Sequence, residues 1–185
     1  IIGVIENQAP TKLLKDVLPV ENGFVKGDLD KDICQVALVE RHRGTGQITN
    51  GFVSGFGYKE KCAVASTVAH DSHHMIIVGT DQENMALAGN HLASIGGGVT
   101  VFKDGVELAT VSLNIAGLMS DAPAQNVAKA ADNMVEAMQI CGCKINNGYM
   151  QHSLLALVVI PELRISDLGL IDVKKFEITE LLDKA

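Results

Sequence analysis

Residues 63–81 read AVASTVAHDSHHMIIVGTD, and the class of the fold turns on them. The apolar runs at either end, AVAS and MIIVG, are β-rich and too short to be helices. Between them stand His70, Asp71, Ser72, His73 and His74, polar side chains that cannot all be buried without partners. The stretch therefore predicts two strands joined by a connection that is either a site or a solvated turn, and residue types alone leave both open.

Working outward, residues 33–41 form a β-rich run and residues 47–58 an extended, glycine-studded one, while residues 100–103 and 108–113 predict a hairpin across Asp104-Gly105. Residues 1–6 predict a short strand, and residues 7–32 a polar connection punctuated by Pro10, Pro19, Gly23 and Gly27. Two helices are expected. Gln82–Ile95 carries Met85, Leu87, Ala88, Leu92 and Ile95 near helical period, follows Asp81 as a cap and ends on Gly96-Gly97-Gly98. The second has Ser120-Asp121 as its cap, Pro123 in its first turn, and Val127, Ala130, Ala131, Met134, Val135 and Met138 at helical spacing. The apolar run 154–160, stopped by Pro161, lacks polar alternation, so strand and helix both stay open for it. No repeating βα unit is visible, and the expected class is α+β: a mixed sheet packed with two main helices, with a boundary near Lys31.

With 185 residues and 47% hydrophobic side chains, the chain suits one well-buried main domain. A net charge of -7 argues against nucleic acid or an anionic membrane surface as partner. No run of about 18 apolar residues is present to span a membrane. Cys34, Cys62, Cys141 and Cys143 form no CxxC pair, and their apolar surroundings suit reduced thiols in a cytoplasmic protein with no disulfide. The chain opens on Ile1-Ile2-Gly3 with no initiator Met and no charged n-region, which fits a processed or excised piece of something larger.

His70, Asp71 and Ser72 have the residue types of a hydrolase triad, but three consecutive residues can rarely wrap around one imidazole. His70 and His73 can converge on a metal if the backbone turns between the strands; an HxxH outside a helix is a weak signal, however, and a turn with Asp71 and Ser72 bonded to local backbone explains it equally well. Glu40-Arg41-His42-Arg43 ends a strand beside Gly44-Thr45-Gly46, where a ligand contact competes with an ordinary solvated ion pair. The glycine run 96–98 follows a helix rather than opening one, which favours helix termination over a phosphate cradle. His152, alone before an apolar run, reads as structural. The H-x-E and P-C-x-x-C pattern of the cytidine-type zinc deaminases is absent.

Taken together, VERHRGTGQITNGFVSGFGYKEKCAVASTVAHDSHHMIIVGTDQENMALAGNHLASIGGGVTVFKDG, then LNIAGLMSD, then VVIPELRISDLGLIDV, resemble the C-terminal region of bacterial and archaeal adenine deaminases, members of the amidohydrolase superfamily. The resemblance makes residues 32–185 that C-terminal domain and residues 1–31 the segment that leaves the preceding domains. It implies metal-dependent hydrolysis of adenine to hypoxanthine and ammonia in purine salvage. It also implies that the divalent metal, manganese or iron, is bound by an H-x-H pair and further ligands in an upstream (β/α)8 barrel. This chain has no H-x-H, so it is expected to hold no metal and to be inactive alone. The implied partners are adenine, the upstream barrel and further copies of the protein in a homo-oligomer.

By the same resemblance His70, Asp71, Ser72 and His73 match the HDSH motif, read as supporting catalytic residues on a loop facing the active site. Glu40, Arg41 and His42 match the ERH motif, read as substrate-binding, with a structural role for Arg41 equally open. His74 stands where Asn is usual, and Asn114 where Pro usually precedes IAGLMS. Two rival readings are a stand-alone purine-binding or interaction module, with HDSHH and the glycine-rich loops as its pocket, and an independent metallohydrolase built on His70 and His73.

Overall fold

The computed structural model describes residues 1–182. In chain order the strands are β1 (Ile2–Val4), β2 (Thr11–Leu13), β3 (Val20–Glu21), β4 (Phe24–Val25), β5 (Ile33–Val39), β6 (Ile48–Ser54), β7 (Cys62–Ser66) and β8 (Met75–Gly79). Helix α1 (Gln82–Ile95) follows, then β9 (Gly98–Lys103), β10 (Val106–Ser112), α2 (Ala124–Ile140), α3 (Gly148–Leu154), β11 (Leu163–Ser166), β12 (Gly169–Asp172) and β13 (Glu177–Thr179). One eight-stranded sheet runs in the order β10-β9-β7-β8-β5-β6-β1-β2. It is mixed: β1 lies parallel to β6, and every other neighbouring pair is antiparallel. The class is α+β, as the interleaving of elements predicts.

The central strands β7 and β8 are buried on both faces. Val64, Ile76 and Val78 point into one core with Val36, Leu38, Val99 and Val101, while Ala63, Ala65, Met75 and Ile77 point into another with Phe102. This is why their sequences show no polar alternation. Each such fully buried Val, Ile or Met contributes about 1.5–3 kcal/mol relative to exposure.

Helix α1 covers the second face with Met85, Ala88 and Leu92. The Asn84 N–H donates to Asp81 Oδ1 at 2.9 Å, so the cap is where the sequence puts it. At the other end Gly96 takes a left-handed φ of 85°, and a Cβ on Gly98 would lie 2.2 Å from Val111 O. The glycine run both stops the helix and lets β9 start hard against β10. The predicted hairpin turns on Asp104 and Gly105, both at positive φ, the geometry that suits the twist of two paired strands.

The first face is covered by α2, α3 and the meander β11-β12-β13, through Met134, Met138, Leu155, Leu163, Ile165 and Leu170. Three details differ from expectation here. Helix α2 has Pro123 at its N-cap and no side-chain cap, while Ser120 Oγ accepts from the Ala122 N–H at 3.2 Å. The α-helices number three among the described residues, α3 being too short for its period to be read in the sequence. The run 154–160 is the end of α3 followed by irregular chain, and the strand begins only at Leu163. The buried guanidinium of Arg164 explains that path. It donates to Ile160 O at 2.7 Å, Leu154 O at 2.8 Å and Ala9 O at 2.6 Å, taking carbonyls a strand would have paired. Among the described residues no helix is long and apolar enough to cross a membrane.

Candidate functional site

Strand β5 runs antiparallel to β8 with Val39 opposite Met75. One and two steps beyond that ladder the same register sets Glu40 beside His74 and Arg41 beside His73. The ERH and HDSHH motifs, separate in sequence, thus meet at one end of the sheet because the strands that carry them are neighbours.

Glu40 is buried and turned onto its own loop. Its Oε1 accepts from the His42 and Arg43 N–H groups, each at 2.7 Å, and its Oε2 from the Thr45 N–H at 3.0 Å and the Thr45 hydroxyl at 2.9 Å. The Thr45 and Arg43 N–H bonds, the largest contributors, hold the carboxyl down at about 2, so it is charged at neutral pH. The turn that places Arg41 and His42 is organised around this anion.

Arg41 joins three loops. Its Nε donates to His73 O at 2.6 Å and its Nη2 to Ala116 O at 2.9 Å. A Cβ on Gly117 would lie 3.0 Å from both terminal guanidinium nitrogens and from Thr67 Oγ1. Thr67 completes the junction by donating from its hydroxyl to Gly117 O at 2.7 Å and accepting from the Gly98 N–H at 2.8 Å.

Four imidazoles surround this junction. His73, at a left-handed φ of 53°, accepts from the Ala69 N–H at its Nδ1, 3.2 Å away, which leaves the proton of the neutral ring on Nε2. His42 Nε2 lies 2.6 Å from Ser72 O, a pure acceptor, so that nitrogen is the donor and Nδ1 of the neutral ring an acceptor. His74 accepts from the Arg41 N–H at Nδ1, 3.4 Å, with Glu40 Oε1 at 3.9 Å and Asp167 Oδ2 at 3.7 Å. The His70 and His73 rings lie 5.3 Å apart and the His42 and His74 rings 4.6 Å apart. Burial first, then its cationic neighbours, hold His73 below its ordinary value; burial does the same for His74 against the opposing pull of Asp167. Both rings are therefore neutral at pH 7.

Of the residues singled out in the sequence, His42, Asp71 and Ser72 are exposed and Arg41, His70 and His73 half-buried. The structure brings His74 in with them and adds Thr45, Thr67, Asp167 and the turn at Ala116-Gly117. Only the strand-end position of both motifs, given the antiparallel pairing, signalled their convergence. Among the described residues no group of three or more His, Cys, Asp or Glu is placed to hold a metal ion, and His73 and His74 each accept a backbone N–H at Nδ1, which puts the proton of the neutral ring on Nε2 and leaves neither a lone pair for a metal. The site does not fit a metal.

Outside the site, His152 is fully buried with Nε2 on Val64 O at 3.1 Å and Nδ1 without a partner, and burial pushes it down to about 4. Cys34, Cys62 and Cys141 are buried and Cys143 half-buried. Burial pushes the Cys34 thiol up to about 12, far from thiolate chemistry at neutral pH.

Residues 8–177 match the family model described as the adenine deaminase C-terminal domain. The chain belongs to that family. It is 70% identical over 177 residues to an adenine deaminase of Ruegeria sp. (strain TM1040), covering 96% of this chain and 29% of that protein. Against the adenine deaminase of Ruegeria pomeroyi it is 68% identical over 99% of this chain and 30% of the relative. The adenine deaminase of Moorella thermoacetica is 46% identical over 98% and 30% respectively. The chain thus spans a little under a third of the length of these relatives, and the adenine deaminase C-terminal match takes in the whole of the ERH and HDSHH junction.

Proposed function

We propose that this chain is the C-terminal domain of an adenine deaminase, in which hydrolysis of adenine to hypoxanthine and ammonia takes place at a centre held by the rest of the polypeptide. The observation that carries the reading is the match to proteins of that name over 96–99% of this chain. In this reading residues 1–31 lead in from what precedes them while giving strands β1 and β2 to the main sheet, the protein is a cytoplasmic purine-salvage homo-oligomer, and the metal, manganese or iron, is bound upstream.

The histidine face is the part of this chain assigned to the reaction. Deamination needs a hydrogen-bond donor to ring nitrogen, an acceptor for the amino group, and a path for the proton that leaves with ammonia. His73 offers a donor at Nε2 to a purine ring nitrogen, and the neutral ring of His42 offers an acceptor at Nδ1 to the amino group. His70, Asp71 and Ser72 complete the loop that closes over the substrate and excludes water. Arg41 holds that loop in place through His73 O, Glu40 shapes the turn that carries Arg41 and His42, and His74 backs it from the buried side.

The test is ammonia release from adenine by the intact polypeptide that carries this chain, with His42→Gln and His73→Gln compared to wild type. Deamination that falls in both variants supports the reading. No deamination by the wild-type protein removes the reading, and variants as active as wild type remove the histidine face from it.

A further inference from the structure

Ile1 and Leu14 exchange both backbone hydrogen bonds: the Ile1 nitrogen donates to Leu14 O at 2.8 Å, and the Leu14 N–H donates to Ile1 O at 2.9 Å. The β1–β2 ladder, with Ile2 opposite Leu13 and Val4 opposite Thr11, therefore runs in register up to the first residue. Hydrogen-bonded pairs alternate along an antiparallel ladder, so the next such position on the β2 side is Asp16.

On its other side β1 lies parallel to β6 but covers only Val53 and Ser54, whereas β6 starts at Ile48. A strand running back from Ile1 would continue this ladder along residues 49–52. Where the β1–β2 ladder runs out lies a groove of ≈ 600 Å³, walled on one side by Leu14, Val17, Leu18 and Val20, reaching β6 at Phe52 and bounded by Leu182 and the β11–β13 meander. Val17 is 87% and Val20 64% exposed. The hairpin β3–β4 that walls it has two residues per strand, too few to be stable without a further surface to pack on.

We propose that the polypeptide preceding Ile1 in the intact protein continues β1 as a strand in this slot. It pairs antiparallel with residues 15–17 and parallel with the first half of β6, and it lays alternate apolar side chains in the groove. The occupant is set by length and by register. The matched adenine deaminases have about 70% of their length outside the region this chain covers, that region is the C-terminal domain of the family, and both ladders point out of the chain at the same place. Main-chain pairing supplies the binding and the apolar lining selects the alternation, as when an extended segment adds to a sheet. The inference rests on this chain being the last part of a longer enzyme.

The experiment is amide hydrogen exchange, resolved to single residues over 14–18, on the full-length protein. Alongside it the maleimide reaction rate of Val17→Cys is compared with that of Val159→Cys, a 68% exposed position away from the groove. Asp16 is expected to exchange at least about a hundredfold slower than an unstructured amide, and Val17→Cys to react at least about tenfold slower than Val159→Cys, both unchanged on dilution. Exchange of Asp16 at the unstructured rate with equal cysteine rates would overturn the proposal. So would protection lost on dilution, which would assign the groove to a second copy. The exchange measurement uses wild-type protein and does not depend on a variant folding. Adenine turnover on the same preparation separates the two readings: protection without turnover keeps the strand and removes the deaminase function, and turnover without protection does the reverse.

Discussion

The Nε of Arg41 donates to the carbonyl oxygen of His73 at 2.6 Å while Nη2 of the same side chain holds Ala116 O at 2.9 Å. One planar cation thereby fixes two loops that come from distant parts of the chain. Lysine has the charge without the fork and cannot hold both carbonyls. If the intact protein is the adenine deaminase proposed above, Arg41→Lys should lower its kcat for adenine by about 10–100-fold, as loss of an orienting partner typically does, with KM little changed. A kcat within twofold of wild type would show that Arg41 does not position the histidine loop.

Gly117 provides an independent route to the same junction. It sits at a φ of 73° with the Arg41 guanidinium and Thr67 Oγ1 against the place a Cβ would occupy. Gly117→Ala adds about 1–2 kcal/mol of left-handed backbone strain and displaces Arg41. Its kinetic defect should match that of Arg41→Lys, and the double variant should be little worse than either single one, because both break one unit. Additive losses in a double-mutant cycle would place Gly117 outside that unit.

Glu40 makes the turn sensitive to acid. Its folded value, about 2, lies below the ordinary 4.5, so the stability it contributes is complete above about 4.5 and is lost as pH falls toward about 2. In Glu40→Gln the neutral amide puts two N–H donors where the loop needs acceptors, so the turn is weakened at every pH. Thermal midpoints measured between pH 6 and pH 3 should fall less steeply for the variant than for wild type. Parallel slopes would count against the carboxylate as organiser.

His152 titrates in a higher window. Its folded value, about 4, is depressed from 6.5 by burial; the unfolded chain therefore binds the proton first, and stability falls as pH drops from about 6.5 to about 4, by about 3 kcal/mol if the full shift is expressed. His152→Phe loses the bond to Val64 O and is less stable at pH 7, but its stability should change less between pH 7 and pH 4.5. An unchanged slope in denaturant titrations would assign the acid sensitivity elsewhere.

The fold was legible in the sequence wherever burial is periodic or a turn requires special residues. Gln82–Ile95 announces itself by its stripe, its Asp81 cap and its glycine stop, and the β9–β10 hairpin by Asp104-Gly105. Residues 154–160 were not legible, because their path is set by a buried Arg164 whose carbonyl partners come from two separate segments. Helix α3 is shorter than the window over which a helical period can be recognised. At the site, both motifs could be picked out by residue type, but their meeting depends on strand order, which a one-dimensional pattern does not contain. Asp167 reaches the junction from the β11–β12 turn of the separate three-stranded sheet, and Ala116-Gly117 from the chain after β10.

The most direct measurement is kcat/KM for adenine in the full-length protein carrying His73→Gln, with folding checked by its thermal midpoint. If the histidine face serves the active site, kcat/KM falls by about 100-fold or more, the scale of a lost proton-handling or polarising group, while the midpoint stays close to that of wild type. A variant that folds normally and deaminates adenine at the wild-type rate would contradict the assignment of this face to the reaction.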